Sequence, residues 1–152
     1  MAMEIRTAIN RYCNYQERCH EEVKTKLIEL GADLEYANAL IAELITSNLL
    51  NEERFAQSYA RGKFSQKKWG RNKIRQNLKS KKVSAYCIKK GLAEIDEEDY
   101  EKTLLQLGEK TLEKYGQDPM WIQRAKTCRY LIGKGFENDL IQDTLNKLLN
   151  TP

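Results

Sequence analysis

The chain has 152 residues, 41% hydrophobic and 32% charged, with a mean hydropathy of −0.71 and a formal net charge of +4. This composition predicts one or two folded domains and excludes a chain dominated by disorder. No apolar run approaches the roughly 20 residues that span a bilayer, and the N-terminus lacks the apolar core of a secretory signal. We therefore expect a cytoplasmic protein that has no membrane partner.

Apolar residues recur at helical spacing along almost the whole chain. In the first segment they include Ile5, Ile9 and Cys13, and in the second Leu27 stands shortly before Gly31. Glycine favours the position after a helix, so the second helix is predicted to end there. Features that favour helix starts precede the later segments: Asp33, Asn51, Ser84, the DEED run at 96–99, and Asp118 followed by Pro119.

The best candidate for a strand is the stretch CRYLI at 128–132. It continues a helical pattern that starts at Trp121, and no segment keeps the two-residue alternation of a half-buried strand. The sequence therefore predicts an all-α fold, with Trp121 on an apolar face in the core.

The chain contains a weak internal repeat of about 50 residues. When Leu27, Leu78 and Leu131 are aligned, every compared position downstream is apolar in all three segments. Ordinary amphipathic helices could align in this way by chance. We favour the alternative, an elongated array of three tandem three-helix repeats, at residues 1–50, 51–95 and 96–152.

Charge follows a similar division. Residues 1–53 carry 5 basic and 10 acidic side chains, residues 54–93 carry 13 basic and none acidic, and residues 94–152 carry 8 basic and 12 acidic. The repeats are therefore acidic, basic and acidic in order. Ordinary solvated surfaces mix signs, so the basic segment indicates an anionic partner, either a phosphate backbone or an acidic protein surface.

The candidate contact residues are eleven of the 13 cations of this segment. They are Arg54, Arg61, Lys63, Lys67, Lys68, Arg71, Lys73, Arg75, Lys79, Lys81 and Lys82. Arg71, Arg75 and Lys79 are spaced four residues apart and should form a stripe along one helix. Trp69 is interpreted as a structural plug, with stacking on the partner as the alternative.

The sequence predicts no catalytic, cofactor or metal site. The four cysteines show no CxxC spacing and His20 is the single histidine, which argues against zinc and against the commonest acid–base pairs. The eight glycines form no phosphate-binding loop. We expect the cysteines to be reduced residues of the core or its boundary.

At these positions the sequence resembles the RecX family. LLNEERFAQSYAR at 49–61 is similar to that family's LLDDERFA signature, and KKWGRNKIRQNLKSKKVS at 67–84 to its GWGPRRIRxELxxKGI segment. The stretch CHEEVKTKLIELG at 19–31 fits its SxxELxxKLxxKG pattern. The structural signature residues are Phe55, Trp69, Gly70, Ile74 and Leu78. Departures include Cys19 in place of an N-cap serine and Lys82 in place of glycine.

The resemblance implies an all-α regulator of the RecA recombinase, and not an enzyme. It implies binding in the groove of the RecA–single-stranded DNA filament, where the protein limits filament growth, ATPase activity and strand exchange. These are functions in recombination regulation, DNA repair and the SOS response. We expect a monomer without a cofactor. The alternatives are a stand-alone, sequence-nonspecific DNA-binding helical module and a scaffold for acidic proteins.

Overall fold

The computed structural model describes residues 2–150, and within this range it contains nine α-helices and no strand. The helices are α1 Ala2–Tyr15, α2 His20–Glu29, α3 Leu34–Thr46, α4 Glu52–Lys67, α5 Arg71–Ser80, α6 Ala85–Leu92, α7 Glu97–Lys114, α8 Met120–Lys134 and α9 Asn138–Leu149. The all-α prediction is confirmed. Across residues 2–150, none of these helices combines the length and apolarity that crossing a membrane requires.

Side-chain hydrogen bonds confirm several of the predicted helix starts. The Asp33 carboxylate accepts from the Tyr36 N–H at 2.8 Å, and the Asn51 side-chain oxygen accepts from the Arg54 N–H at 2.9 Å. Such bonds satisfy N–H groups that the first turn of a helix leaves without a partner. The caps fix where α3 and α4 begin.

The predicted cap at Asp118 is wrong. Helix α8 begins at Met120, and Pro119 is its N-cap residue without a side-chain hydrogen bond. The Asp118 carboxylate instead accepts from the Lys126 Nζ at 2.9 Å. This carboxylate is therefore held by an ion pair with a lysine in a later turn of α8.

The prediction that Trp121 lies in the core is also wrong, because the residue is 73% exposed. Helix α8 buries Thr127 and Leu131. Trp121 lies six residues before Thr127, about 120° away around the helix axis. The sequence pattern identified the helix but not the face that packs.

The same turn follows the second helix of each repeat. A hydrogen bond joins an N–H to the carbonyl five residues earlier: Ala32 to Leu27 at 3.0 Å, Val83 to Leu78 at 3.1 Å and Phe136 to Leu131 at 3.1 Å. The three leucines are all 0% exposed. This bond and the left-handed residue before its donor define the Schellman motif. The three-helix repeat predicted from the sequence is therefore confirmed at these turns.

The left-handed residue of these turns is Gly31 in the first, Lys82 in the second and Gly135 in the third. Lys82 has a φ of 61°, a region that residues with a Cβ enter at a cost. Its ammonium lies 3.6 Å from a Glu21 oxygen, but the side chain is 75% exposed, so the pair contributes little.

Lys82→Gly is expected to raise the free energy of unfolding by about 0.5–1 kcal/mol, because glycine removes this backbone strain. Urea unfolding would show it as a higher midpoint at an unchanged slope. Lys82→Ala is the matched control, since it removes the same charge and keeps the Cβ. Equal stability of the two variants would contradict the explanation.

Residue contacts divide the chain into two compact units. Unit 1 comprises Met1–Tyr59 and Asn77–Gly91, and unit 2 comprises Ala60–Gln76 and Leu92–Pro152. In unit 1, α2 packs on α1 and α3 around a core that includes Ile9, Val23, Leu27, Ala37 and Leu40. In unit 2, α7, α8 and α9 pack pairwise, and the buried side chains include Tyr100, Leu104, Leu131, Phe136, Ile141 and Leu145.

The cysteines occupy the positions expected of core and boundary residues. Cys13 and Cys19 are buried, Cys87 and Cys128 are partly buried, and all four are free. Burial raises the pKa of the Cys19 thiol to about 11, so this group stays protonated and unreactive at neutral pH.

Candidate nucleic-acid interface

The turn between α4 and α5 carries the KKWG sequence and lies in unit 2. Lys68 follows the last residue of α4 and has a φ of 57°. The N–H of Trp69 then donates to the Lys63 carbonyl at 3.2 Å. This arrangement caps α4 and fixes the backbone that holds the indole.

Gly70 lies directly against the turn between α8 and α9. Its N–H donates to the Lys134 carbonyl at 2.7 Å, and the Asn72 N–H donates to the Gly135 carbonyl at 2.9 Å. A Cβ on Gly70 would lie 2.3 Å from the carbonyl carbon of Gly135. Glycine is required here because two backbone segments touch where a side chain would stand.

Arg71, the next residue, is held by contacts within unit 2. Its guanidinium donates to Glu137 at 2.7 Å and to Glu97 at 2.6 Å, and its side chain is only 17% exposed. Its backbone N–H donates to the Tyr100 hydroxyl at 2.9 Å, and the guanidinium carbon lies 3.8 Å from the centre of that ring. Arg71 therefore connects the start of α5 to α7 and to the residue that precedes α9.

The surroundings of Glu137 favour its ionised form, so this network contains a charged carboxylate. Burial alone would raise the pKa of Glu137, but hydrogen bonds from Tyr100 and Arg71 outweigh it and hold that pKa below its ordinary value. Burial, followed by the hydrogen bond to Glu137, raises the pKa of the Tyr100 phenol, which stays a donor. The Arg71 guanidinium is thus committed to an internal partner at neutral pH.

Four other candidate cations make ion pairs within their own unit. Arg54 lies 2.6 Å from Glu17, Arg61 2.6 Å from Glu94, Lys81 3.6 Å from Glu22 and Lys82 3.6 Å from Glu21. All four carboxylates come from the acidic flanking segments. The local charge of the basic segment is therefore partly neutralised by the chain itself.

Around Trp69 the structure gathers several lysines, and we call Lys63, Lys67, Trp69, Lys73 and Lys134 the Trp69 cluster. The indole is half-buried, and its centre lies 5.0 Å from the Lys63 Nζ and 4.6 Å from the Lys73 Nζ. The Lys134 Nζ donates to the Lys67 carbonyl at 2.6 Å. Burial, followed by the nearby charges of Lys73 and Lys67, lowers the pKa of Lys134.

Two family models cover most of this chain. One describes the second three-helix domain of RecX and matches residues 51–92, and the other describes the third three-helix domain and matches residues 97–145. The chain belongs to the RecX family. Most of the Trp69 cluster therefore lies in the second RecX domain, while Lys134 comes from the third.

Individual RecX proteins agree with this assignment. The regulatory protein RecX of Clostridium perfringens strain 13 is 32% identical over 136 residues, which cover 88% of this chain and 63% of that protein. The one from Levilactobacillus brevis is 30% identical over 154 residues, 99% of this chain and 58% of that protein. This chain thus spans less than two thirds of these relatives.

A crystal structure of RecX from Lactobacillus salivarius has the same fold. It matches with a TM-score of 0.88 at 26% sequence identity, over 97% of this chain and 96% of that chain. The architecture described here is therefore that of a solved RecX protein over almost its full length.

The RecX signature residues divide into core and surface. Ile74 and Leu78 are 0% exposed and Phe55 is 5% exposed, so each of them is a core residue, and Gly70 provides the close backbone contact. Trp69 differs from them because it is only partly buried.

The remaining candidates lie at the end of α4 or on α5. The Lys68 Nζ donates to the Ser65 carbonyl at 3.1 Å, and the Arg75 guanidinium donates to the Asn72 side chain at 2.9 Å. Lys79 is exposed near the end of α5. Arg71 and Arg75 thus have different partners, although the sequence predicted a single stripe.

Proposed function

We propose that this chain is a non-enzymatic regulator, mainly an inhibitor, of the RecA recombinase. It binds in the groove of the RecA–single-stranded DNA filament and limits filament growth, ATPase activity and strand exchange. The observation that carries the proposal is the cationic Trp69 cluster, whose residues come from the second and third RecX domains. The description of its relatives as regulatory proteins is consistent with it.

The mechanism we propose is occupancy of the groove. Lysines of the Trp69 cluster contact DNA phosphates, where each contact releases counterions and stabilises the complex. The acidic flanking segments contact basic recombinase surface, and several weak contacts on one chain give a tighter complex than any of them alone. A chain lodged there blocks addition of the next recombinase subunit without any chemical step.

The test is the ATPase activity of a RecA recombinase on single-stranded DNA, measured with and without this protein. We expect Lys67→Glu/Lys68→Glu to weaken inhibition at least about tenfold, since two exposed cations at the end of α4 become anions. The variant leaves Arg71 unchanged, because replacing Arg71 would alter the fold as well as the surface charge.

Lys110→Glu/Lys114→Glu on α7 is the matched control, with the same change in net charge on two exposed residues. It should keep most of the inhibition. Equal loss of inhibition in both variants would mean that net charge alone matters. Unchanged inhibition by both variants would exclude the Trp69 cluster as the contact. Failure of the unmodified protein to inhibit would overturn the proposed function.

A second candidate function is a stand-alone, sequence-nonspecific DNA-binding module. The specific observation that favours it is an aromatic ring among lysines, a combination typical of proteins that bind single strands. Binding to naked DNA and to preformed filament, compared at low and at physiological salt, distinguishes the two. Tight binding to filament alone supports the regulator, and equal binding to both supports the module.

A further inference from the structure

We propose that Trp69 is a stacking platform for an unpaired base of single-stranded DNA, and that Lys67, Lys73 and Lys134 hold the adjoining phosphates. This inference rests on the proposed function and deepens it. It assigns the Trp69 cluster to the DNA strand of the filament, and not to the surface of the recombinase.

The first step of the argument is the burial of the indole. Two aromatic residues of unit 2, Tyr100 and Phe136, are 0% and 1% exposed, and they fill its core. Trp69 is only half-buried, although its backbone is held by the bond to Lys63 and, one residue later, by the bond from Gly70 to Lys134. A ring that is rigidly mounted but partly open is suited to contact with a partner.

The second step is the placement of the ammonium groups. The Nζ atoms of Lys63 and Lys73 lie 5.0 and 4.6 Å from the centre of the indole. Lysine stems are flexible, and a phosphate attracts an ammonium more strongly than a ring does, so a phosphate can draw these groups from the ring. A stacked nucleotide brings both the base for the ring and the phosphate for the cations.

The third step concerns Lys134, whose stem reaches the end of α4 and donates to the Lys67 carbonyl at 2.6 Å. The next residue, Gly135, lies directly against Lys73. Burial, and then repulsion from the charges of Lys73 and Lys67, lowers the pKa of Lys134. A phosphate placed among them would relieve that repulsion.

The chemistry of the Trp69 cluster favours a single strand over the other anions that lysines attract. A duplex keeps its bases stacked on one another, so it offers phosphates but no free base to the indole. An acidic protein surface could pair with the lysines, but its carboxylates offer no flat ring to stack on the indole. Only an unpaired strand satisfies both parts of the cluster, whatever its base sequence.

The experiment uses the full chain carrying Trp121→Phe, which leaves Trp69 as the single tryptophan because the sequence contains two. Trp121 is 73% exposed, so its replacement should not disturb the fold. A thymine oligonucleotide should quench the fluorescence of Trp69, and an abasic strand of the same length should bind about 5- to 150-fold more weakly, the range that stacking of one base provides. Equal affinities with unchanged fluorescence would overturn the proposal.

Variants test the ring itself, with thermal unfolding measured alongside. Trp69→Ala should weaken binding of the thymine strand by the same factor of about 5 to 150, while Trp69→Phe should retain affinity within about threefold because a flat ring remains. Trp121→Ala is the control and should bind like the unmodified protein. Stacking would be excluded if Trp69→Ala folded and bound the thymine strand normally. It would also be excluded if Trp69→Phe folded but bound as weakly as a folded alanine variant.

The same variants in the recombinase ATPase assay separate this inference from the proposed function. If the protein inhibits the ATPase but its Trp69 does not respond to thymine strands, the stacking proposal fails and the regulator stands. If Trp69 stacks but the protein does not inhibit, the regulator fails and the stacking site stands.

Discussion

Gly70→Ala should lower the free energy of unfolding by about 3 kcal/mol or more, the upper range for overpacking. The added Cβ would lie within 2.4 Å of three backbone atoms of Gly135 and Phe136. A backbone cannot turn aside as a side chain can, so the two segments must separate. Their separation would also break the hydrogen bonds from Gly70 to Lys134 and from Asn72 to Gly135.

Gly62→Ala is the matched control for this substitution. Gly62 lies inside α4 with nothing within 4 Å of a built Cβ, so alanine should stabilise the helix by about 0.5–1 kcal/mol. Urea unfolding of both variants gives the comparison. If the two alanines had effects of similar size and sign, the close backbone contact at Gly70 would not be the cause.

Arg71→Met should cost about 2–3 kcal/mol, because it removes charged hydrogen bonds to a partly buried carboxylate. Glu137 would keep the Tyr100 hydroxyl as a donor but would lose its cation. The control is Arg75→Met, which removes the same charge from the next turn of α5 and should change stability by no more than about 0.5 kcal/mol. Similar losses in both variants would argue against a special role for Arg71.

This prediction has a pH dependence whose sign follows from the lowered pKa of Glu137. A carboxyl whose pKa is lowered in the folded state stabilises it above the ordinary value, 4.5 here, and the contribution disappears as pH falls through the lowered folded value. Without Arg71 the pKa of Glu137 is lowered less. The stability difference between the unmodified protein and Arg71→Met should therefore narrow below pH 4.5, and a constant difference across this range would contradict it.

The sequence predicted most of the helical architecture because the signals involved are local. The leucines at 27, 78 and 131 mark the same turn in each repeat, and the side chains of Asp33 and Asn51 act within three residues of their own position. Local periodicity could not identify which face of α8 packs in the core, because this helix carries apolar residues on several faces. Trp121 was assigned to the core for this reason.

The candidate site was less predictable, since its partners are far apart in sequence. Arg71 meets Glu137 across 66 positions, and Lys134 meets the Lys67 carbonyl across 67. Charge counting therefore included Arg71, whose guanidinium is occupied internally. It omitted Lys134, which lies in a segment with more acidic than basic residues. No spacing rule connects residues so distant, and only the packed backbones of Gly70 and Gly135 bring them together.

The internal ion pairs of the basic segment have a consequence for selectivity. A polyanion that binds Arg54 or Arg61 must displace Glu17 or Glu94 from its ion pair. The displaced carboxylate then takes up a cation from solution, which offsets the cation that the polyanion releases on binding. Such contacts add little net affinity for weakly charged ligands. The paired carboxylates thus reduce the net gain from recruiting these two arginines, and the gain is largest for an anion of high linear charge density.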